Sequence, residues 1–157
     1  QKGLVVLKSN KFNLTKNSVP QEIINKLINL YNQEKYEELL KQTNELLLVY
    51  PNSYLICNIN GAANKALGRF EKALEAFNNT VILNPNFPEG FNNLGTTYKA
   101  LAKHNEAIDF YKKALSVNPN YAEAYFNMAI IYKEKGELDK AIKSYEKTIL
   151  TSSLKSF

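Results

Sequence analysis

Between residues 20 and 150, apolar side chains recur every three or four positions in short runs, and Gly, Pro and Asn break the runs at regular intervals. In the run over 88–101, Phe91, Leu94, Tyr98 and Leu101 fall on one stripe of a helix. The next run repeats the stripe with Ala107, Ile108, Tyr111, Ala114 and Leu115. Each stripe marks a helix that buries one face and leaves the other to water. The spacing predicts helices over 20–33, 36–48, 53–67, 70–82, 87–101, 104–116, 121–135 and 138–150. Pro88 suits the first turn of its helix, where the missing N–H costs nothing.

The pattern is periodic at a longer scale. Pro51, Pro85 and Pro119 stand 34 residues apart, in the turns YPNS, NPNF and NPNY. The triplets Ala73, Ala107, Ala141 and Phe77, Tyr111, Tyr145 keep the same spacing, as do Lys65, Lys99 and Lys133. Gly61 and Gly95 are followed by Ala129, Tyr98 aligns with Tyr132, and Gly68 with Gly136. A fixed period of this length means a repeat architecture. One helix pair cannot bury its own apolar face, so the pairs must stack. Small residues at Gly95 and Ala107 allow close approach of paired helices, and Tyr98 and Tyr111 fill the space beside them.

Residues 88–119 place Phe91, Leu94, Gly95, Tyr98, Ala107, Tyr111, Ala114 and Pro119 in one order. Residues 122–150 follow with Tyr125, Met128, Ala129, Tyr132, Ala141 and Tyr145. The second half of 54–85 keeps Gly61, Gly68, Ala73, Phe77 and Pro85, and 20–53 keeps the outline Leu27, Leu30, Tyr36, Leu39 and Pro51. This order resembles the tetratricopeptide repeat, whose signature runs W-x2-L-G-x2-Y, then A-x3-F, then P. The resemblance covers about 130 of the 157 residues. It implies an all-α fold, a right-handed α-solenoid of stacked antiparallel helix pairs. Four repeats are expected over 20–53, 54–87, 88–121 and 122–150, with a basic arm at 1–19 and a tail at 151–157. The resemblance further implies that the first helix of each pair lines a concave face, where short peptides or extended segments bind.

The family's inward positions carry over residue by residue. The fifth is Asn58, Asn92 and Phe126, and the sixth Ile59, Asn93 and Asn127. The ninth is Ala62, Thr96 and Ile130, and the twelfth Lys65, Lys99 and Lys133. The expected peptide-binding set is Asn58, Lys65, Asn92, Asn93, Thr96, Lys99, Asn127, Ile130 and Lys133. A side-chain amide both donates and accepts, so it suits a peptide backbone of any sequence. Asn93 and Asn127 resemble the start of the asparagine ladder of O-linked N-acetylglucosamine transferase superhelices; plain polar surface is the other reading of these amides. The lysine column suits an acidic peptide or a C-terminal carboxylate, diluted by Glu123 and Glu134, and otherwise reads as a solvated face. The carboxylate clamp of chaperone-binding members is not expected. Asn93 fits its middle position, but Asn58, Ala62, Glu123 and Asn127 stand elsewhere and the basic pair is missing.

Three residues depart from the pattern. Asn60 and Asn64 stand where the family has Leu and Tyr, and Cys57 where a large aromatic is usual. A buried amide without partners costs about 1–3 kcal/mol, so these two must be hydrogen-bonded or turned to solvent. They read either as a polar pocket or as adapted packing. Cys57 reads as a small buried filler, because no basic neighbour is placed to lower its thiol pKa. His104 reads as a half-exposed packing residue.

Composition narrows the function. At 157 residues, 45% apolar and 22% charged, the chain is of ordinary globular type. Its net charge is +5, but Lys2, Lys8, Lys11 and Lys16 supply four of these charges with no acidic residue before position 20. The body therefore lacks the basic face that a nucleic-acid partner needs. One Cys and one His exclude an internal disulfide and any site needing two imidazoles or several thiolates, and no cofactor is expected. No apolar stretch is long enough for a membrane span. There is no phosphate loop, nucleophile motif or His–carboxylate pair, so no enzyme is expected. The expected function is a non-catalytic scaffold that binds a peptide or extended segment, either acidic or read through its backbone. The alternative is the substrate-recruiting module of a larger enzyme of glycosyltransferase or sulfotransferase type, since no polar capping element follows Leu150 unless Leu154 and Phe157 supply it. Self-association through the final helix is a third option. Leu4–Leu7 is too short for a signal-peptide core, and the arm is expected to be flexible or packed on the body. The compartment stays open, with the cytoplasm slightly favoured.

Overall fold

The computed structural model describes residues 18–153. Leu4–Leu7, the rest of the arm up to position 17, and Leu154 and Phe157 lie outside the described residues. Eight helices follow one another: α1 (Gln21–Asn32), α2 (Tyr36–Val49), α3 (Tyr54–Ala66), α4 (Phe70–Leu83), α5 (Pro88–Ala100), α6 (His104–Val117), α7 (Ala122–Glu134) and α8 (Leu138–Ser153). Ends predicted from the pattern agree within one residue for α1 to α7. The exception is α8, which continues to Ser153 rather than stopping at 150. In its last turns Thr148, Thr151 and Ser153 donate hydroxyl bonds to the carbonyls of Ser144, Lys147 and Leu150 one turn before.

Two kinds of turn join the helices. Within each pair, one residue takes a left-handed conformation, and these residues recur at the repeat spacing: Glu34, Gly68, Ala102 and Gly136, with φ of 58°, 70°, 56° and 74°. After α3, the Arg69 N–H donates to the Asn64 carbonyl and the Gly68 N–H to the Lys65 carbonyl, both at 2.9 Å. This Schellman closure satisfies carbonyls that the helix end leaves open. The same two bonds close α1, α5 and α7. Between pairs the prolines prevent helix continuation. There Asn84 and Asn118 accept from the N–H groups of Asn86 and Asn120 through their side-chain oxygens, a local turn that suits asparagine.

Each of α3, α5 and α7 packs between the second helix of its own pair and that of the preceding pair. Successive first helices also touch: α1 with α3, α3 with α5, and α5 with α7. Among the described residues, successive second helices make no comparable contact. A stack held closer on one side must curve toward that side. The first helices therefore form the inner, concave face of an α-solenoid, and α2, α4, α6 and α8 the outer face.

The core runs along the stack as linked clusters, with Leu27, Leu39 and Ile56 at one end, Phe77 and Leu94 in the middle, and Tyr111 and Ile131 beyond. Two glycines set the distance within the pairs. A Cβ on Gly61 would lie 2.6 Å from Cε1 of Phe77, and one on Gly95 2.5 Å from Cε1 of Tyr111. Both rings are fully buried, so neither can move aside without disturbing its neighbours. The last pair has Ala129 at this position, and its ring, Tyr145, is only half-buried. The Tyr111 hydroxyl is itself sealed from solvent and has no hydrogen-bond partner among the described residues. Burial, with Glu123 adding to it, holds the phenol well above the ordinary tyrosine pKa.

Two stability outcomes follow, both readable by urea denaturation. Gly95→Ala forces a methyl group into the Tyr111 ring and should lower stability by about 1–3 kcal/mol. Tyr111→Phe removes an unpaired buried hydroxyl and places here the ring that Phe77 already supplies one repeat earlier; stability should rise by about 1 kcal/mol. A loss on Tyr111→Phe would mean that the hydroxyl is satisfied in solution.

Candidate functional site

The concave face is built from α1, α3, α5 and α7, and its polar residues are joined across the helices. Asn93 on α5 donates through Nδ2 to Oδ1 of Asn58 on α3, at 2.9 Å. Asn127 on α7 donates in the same way to Oδ1 of Asn92 on α5, at 3.1 Å. Both rungs join residues 35 apart. Consecutive first helices are thus staggered so that the sixth position of one repeat meets the fifth of the repeat before.

The rungs use only part of each amide. Among the described residues, the Asn58 Nδ2 donor and the Oδ1 acceptors of Asn93 and Asn127 have no side-chain or backbone partner. All three side chains are half-buried. Asn92 differs. The family resemblance implies a place for it on the groove wall, but its exposure is 1%, and its Nδ2 donates to Oε1 of Glu123 at 2.9 Å. With both ends of its amide engaged, Asn92 is a buried connector and not a surface contact. The physical reason is that α7 lies over this position. At the equivalent place in the last pair Phe126 stays exposed, edge-on to Tyr145 with ring centres 6.0 Å apart.

The lysine column is uneven. Lys65 donates from Nζ to Oγ1 of Thr96 at 2.9 Å, and Thr96 in turn donates to the Asn93 carbonyl at 3.0 Å. Burial pulls the Lys65 ammonium below the usual lysine range, while the charge of Glu123 works in the opposite direction. Lys99 is half-buried and Lys133 exposed. Among the described residues, none of the three lysines forms an ion pair. Ile130 is half-buried beside them.

Glu123 is the residue whose role the sequence did not reveal. It accepts from Asn92 and also from the Tyr121 hydroxyl, at 3.3 Å, and so anchors the second rung. One signal was present: Glu123 precedes Asn127 by four residues and shares its helical face. Glu134 lies 3.9 Å from His104, which is half-buried at the start of α6. Asn60, Asn64 and Cys57 face away from the groove, toward α2. Asn60 donates to Thr43 at 2.8 Å and to Asn44 at 3.0 Å, so the two amides are hydrogen-bonded, as burial demands. Cys57 is buried, and that burial pushes its thiol pKa up, which keeps it unreactive. Among the described residues no three potential metal ligands converge, and no helix is long and apolar enough to cross a membrane.

Comparison with known proteins agrees with this geometry. One tetratricopeptide-repeat family model matches residues 88–121, and a second matches residues 110–143. The chain is a tetratricopeptide-repeat protein, an α-solenoid of the kind that serves as a protein-interaction scaffold. Among solved structures it is similar to a crystal structure of MamA, with a TM-score of 0.77 at 21% identity, covering 87% of this chain and 80% of that one. It is also similar to the 41-end form of MamA from Desulfovibrio magneticus RS-1, with a TM-score of 0.74 at 19% identity, covering 88% and 77%. At these identities the likeness is one of fold. No curated protein matches the sequence.

Proposed function

We propose that this protein is a non-catalytic scaffold whose concave face holds a peptide or extended segment of a partner protein, acidic in character. The observation that carries the reading is Lys65, an ammonium drawn partly out of water on the inner wall, bonded to a hydroxyl and, among the described residues, in no ion pair, Glu123 acting on it only through its charge. A partner carboxylate supplies the direct ion pair. Lys99 and Lys133 extend the positive column along the groove. The free donor of Asn58 and the free acceptors of Asn93 and Asn127 complement the C=O and N–H groups of an extended backbone.

The test uses an oligoglutamate peptide as probe, titrated calorimetrically against the protein. Replacing Asn93, Lys99, Asn127 and Lys133 together by Ala should weaken binding at least about tenfold. Raising the salt concentration should weaken binding to the unaltered protein, since rim charges are screened over about 8 Å at physiological ionic strength. Unchanged affinity in the fourfold variant sinks the groove assignment.

One observation favours self-association as a second activity. Ile108 on α6 is 6% exposed beneath α7, whereas Ile142, its equivalent on α8, is 56% exposed. Leu138 and Ile149 are exposed on the same helix. On this reading α8 seats a second copy, and Ile142→Lys converts the associated form to monomer in sedimentation equilibrium. A protein that is monomeric before the substitution excludes it.

A further inference from the structure

The outer face carries an interruption of the repeat that concave binding does not use. At the level of α4, α5 and α6, Phe91, Leu94 and Tyr98 of α5 fill the interval between the second helices together with Phe110 of α6. The Tyr98 and Phe110 rings stack with centres 5.2 Å apart and planes 7° from parallel. Leu94 is fully buried, and Phe91 and Tyr98 pack on the core. One repeat earlier the same four positions hold Cys57, Asn60, Asn64 and Ala76. Three rings and a leucine are thus replaced by much smaller side chains, while the helices keep the repeat geometry. What remains is an open cleft of about 530 Å³ between α2, α3 and α4, with all four of these residues in its lining. That volume lies within the range of small-ligand and side-chain pockets.

The chemistry of the cleft is specific. Its floor is a chain of amides: Asn60 donates to Thr43 and Asn44, and Asn64 donates from Nδ2 to Oδ1 of Asn60 at 2.9 Å. The chain ends at Oδ1 of Asn64, which has no hydrogen-bond partner among the described residues, on a side chain that lines the cleft at 5% exposure. Leu40 and Leu47 give the walls apolar surface. At the rim Arg69 is taken up by a two-point ion pair with Glu37. Lys41 and Lys72 form no ion pair among the described residues, and Glu75 is the remaining carboxylate, so the rim is net positive.

We propose that this cleft receives a tyrosine side chain of a partner protein, set in an acidic stretch of the partner's sequence. The ring takes the space that Tyr98 and Phe110 fill one repeat later. The phenol O–H donates to Oδ1 of Asn64 and completes the amide chain. Lys41 and Lys72 meet carboxylates that flank the tyrosine. An aromatic body with a polar tip is the side-chain class that suits a pocket with apolar walls and one acceptor at its base. A single buried aromatic anchor in such a pocket commonly dominates an interface. The proposal stands apart from the concave groove: α3 contributes to both, but Cys57, Asn60 and Asn64 lie on the face of α3 turned toward α2 and α4, away from Asn58 and Lys65.

The test is an NMR titration of the labelled full chain with three probes: acetyl-Asp-Tyr-Asp-amide, its Phe counterpart, and N-acetyltyrosinamide. The tyrosine peptide should produce saturable shifts in the side-chain amides of Asn60 and Asn64. The Phe peptide should bind about tenfold more weakly, because it leaves the acceptor unpaired. Lys41→Ala with Lys72→Ala should weaken the acidic peptide several-fold and leave N-acetyltyrosinamide unchanged. Asn64→Tyr with Ala76→Phe refills the cleft with the protein's own ring pair and should abolish binding. Should that variant not fold, Asn64→Leu removes the acceptor, together with the Nδ2 donor to Asn60, without adding a ring, and should erase the preference for Tyr over Phe. Equal binding of the Tyr and Phe peptides, undiminished binding to the refilled variant, or the lack of any saturable shift at Asn60 and Asn64 overturns the proposal.

Discussion

An aromatic ring lying against bare backbone sets the geometry of this solenoid. Phe77 rests on Gly61 and Tyr111 on Gly95, each with its ring in the space a Cβ would need. These contacts hold the helices of the second and third pairs close enough for the apolar stripes to interlock. Rotation and rise from pair to pair then follow from packing each first helix against the second helix of the preceding pair. The result is a stack in which first helices touch and second helices stand apart, and its curvature decides which residues share a surface.

That curvature gives the two faces different polar chemistry. On the inner side, close approach brings asparagines from successive helices within hydrogen-bond reach, and each rung leaves amide groups open toward the groove. Lys65 belongs to the same inner network and is held by Thr96 at the expense of hydration. On the outer side, the second helices are far enough apart that only bulky side chains can close the gap between them. Tyr98 and Phe110 close it at one level; Asn64 and Ala76 leave it open at the level before.

The polar residues of α3 also bear on how the fold tolerates its departures. Asn60 and Asn64 carry donors into a position built for Leu and Tyr, a costly change unless partners are at hand. Thr43 and Asn44 on α2 supply those partners. A satisfied network of this kind keeps the two helices in register where apolar packing is thin.

Local pattern and period determined the helices, their boundaries to within a residue in the first seven, and the class of fold. Those features depend on near neighbours in the chain and on a period that repeats visibly. The resemblance to the tetratricopeptide repeat, rather than the apolar pattern, pointed to Asn58, Asn93, Asn127 and the lysine column as inward positions, and these residues lie on α3, α5 and α7. It did not reveal that Asn92 is buried, that Glu123 anchors a rung, or that Lys65 is tied to Thr96. Each of these depends on the stagger between helices of different repeats, which no single repeat encodes. The cleft under Asn64 has the same origin. The small residues were legible in the sequence, but only the stacking of α2 and α4 on either side of α3 decided that they line open space and not a collapsed core.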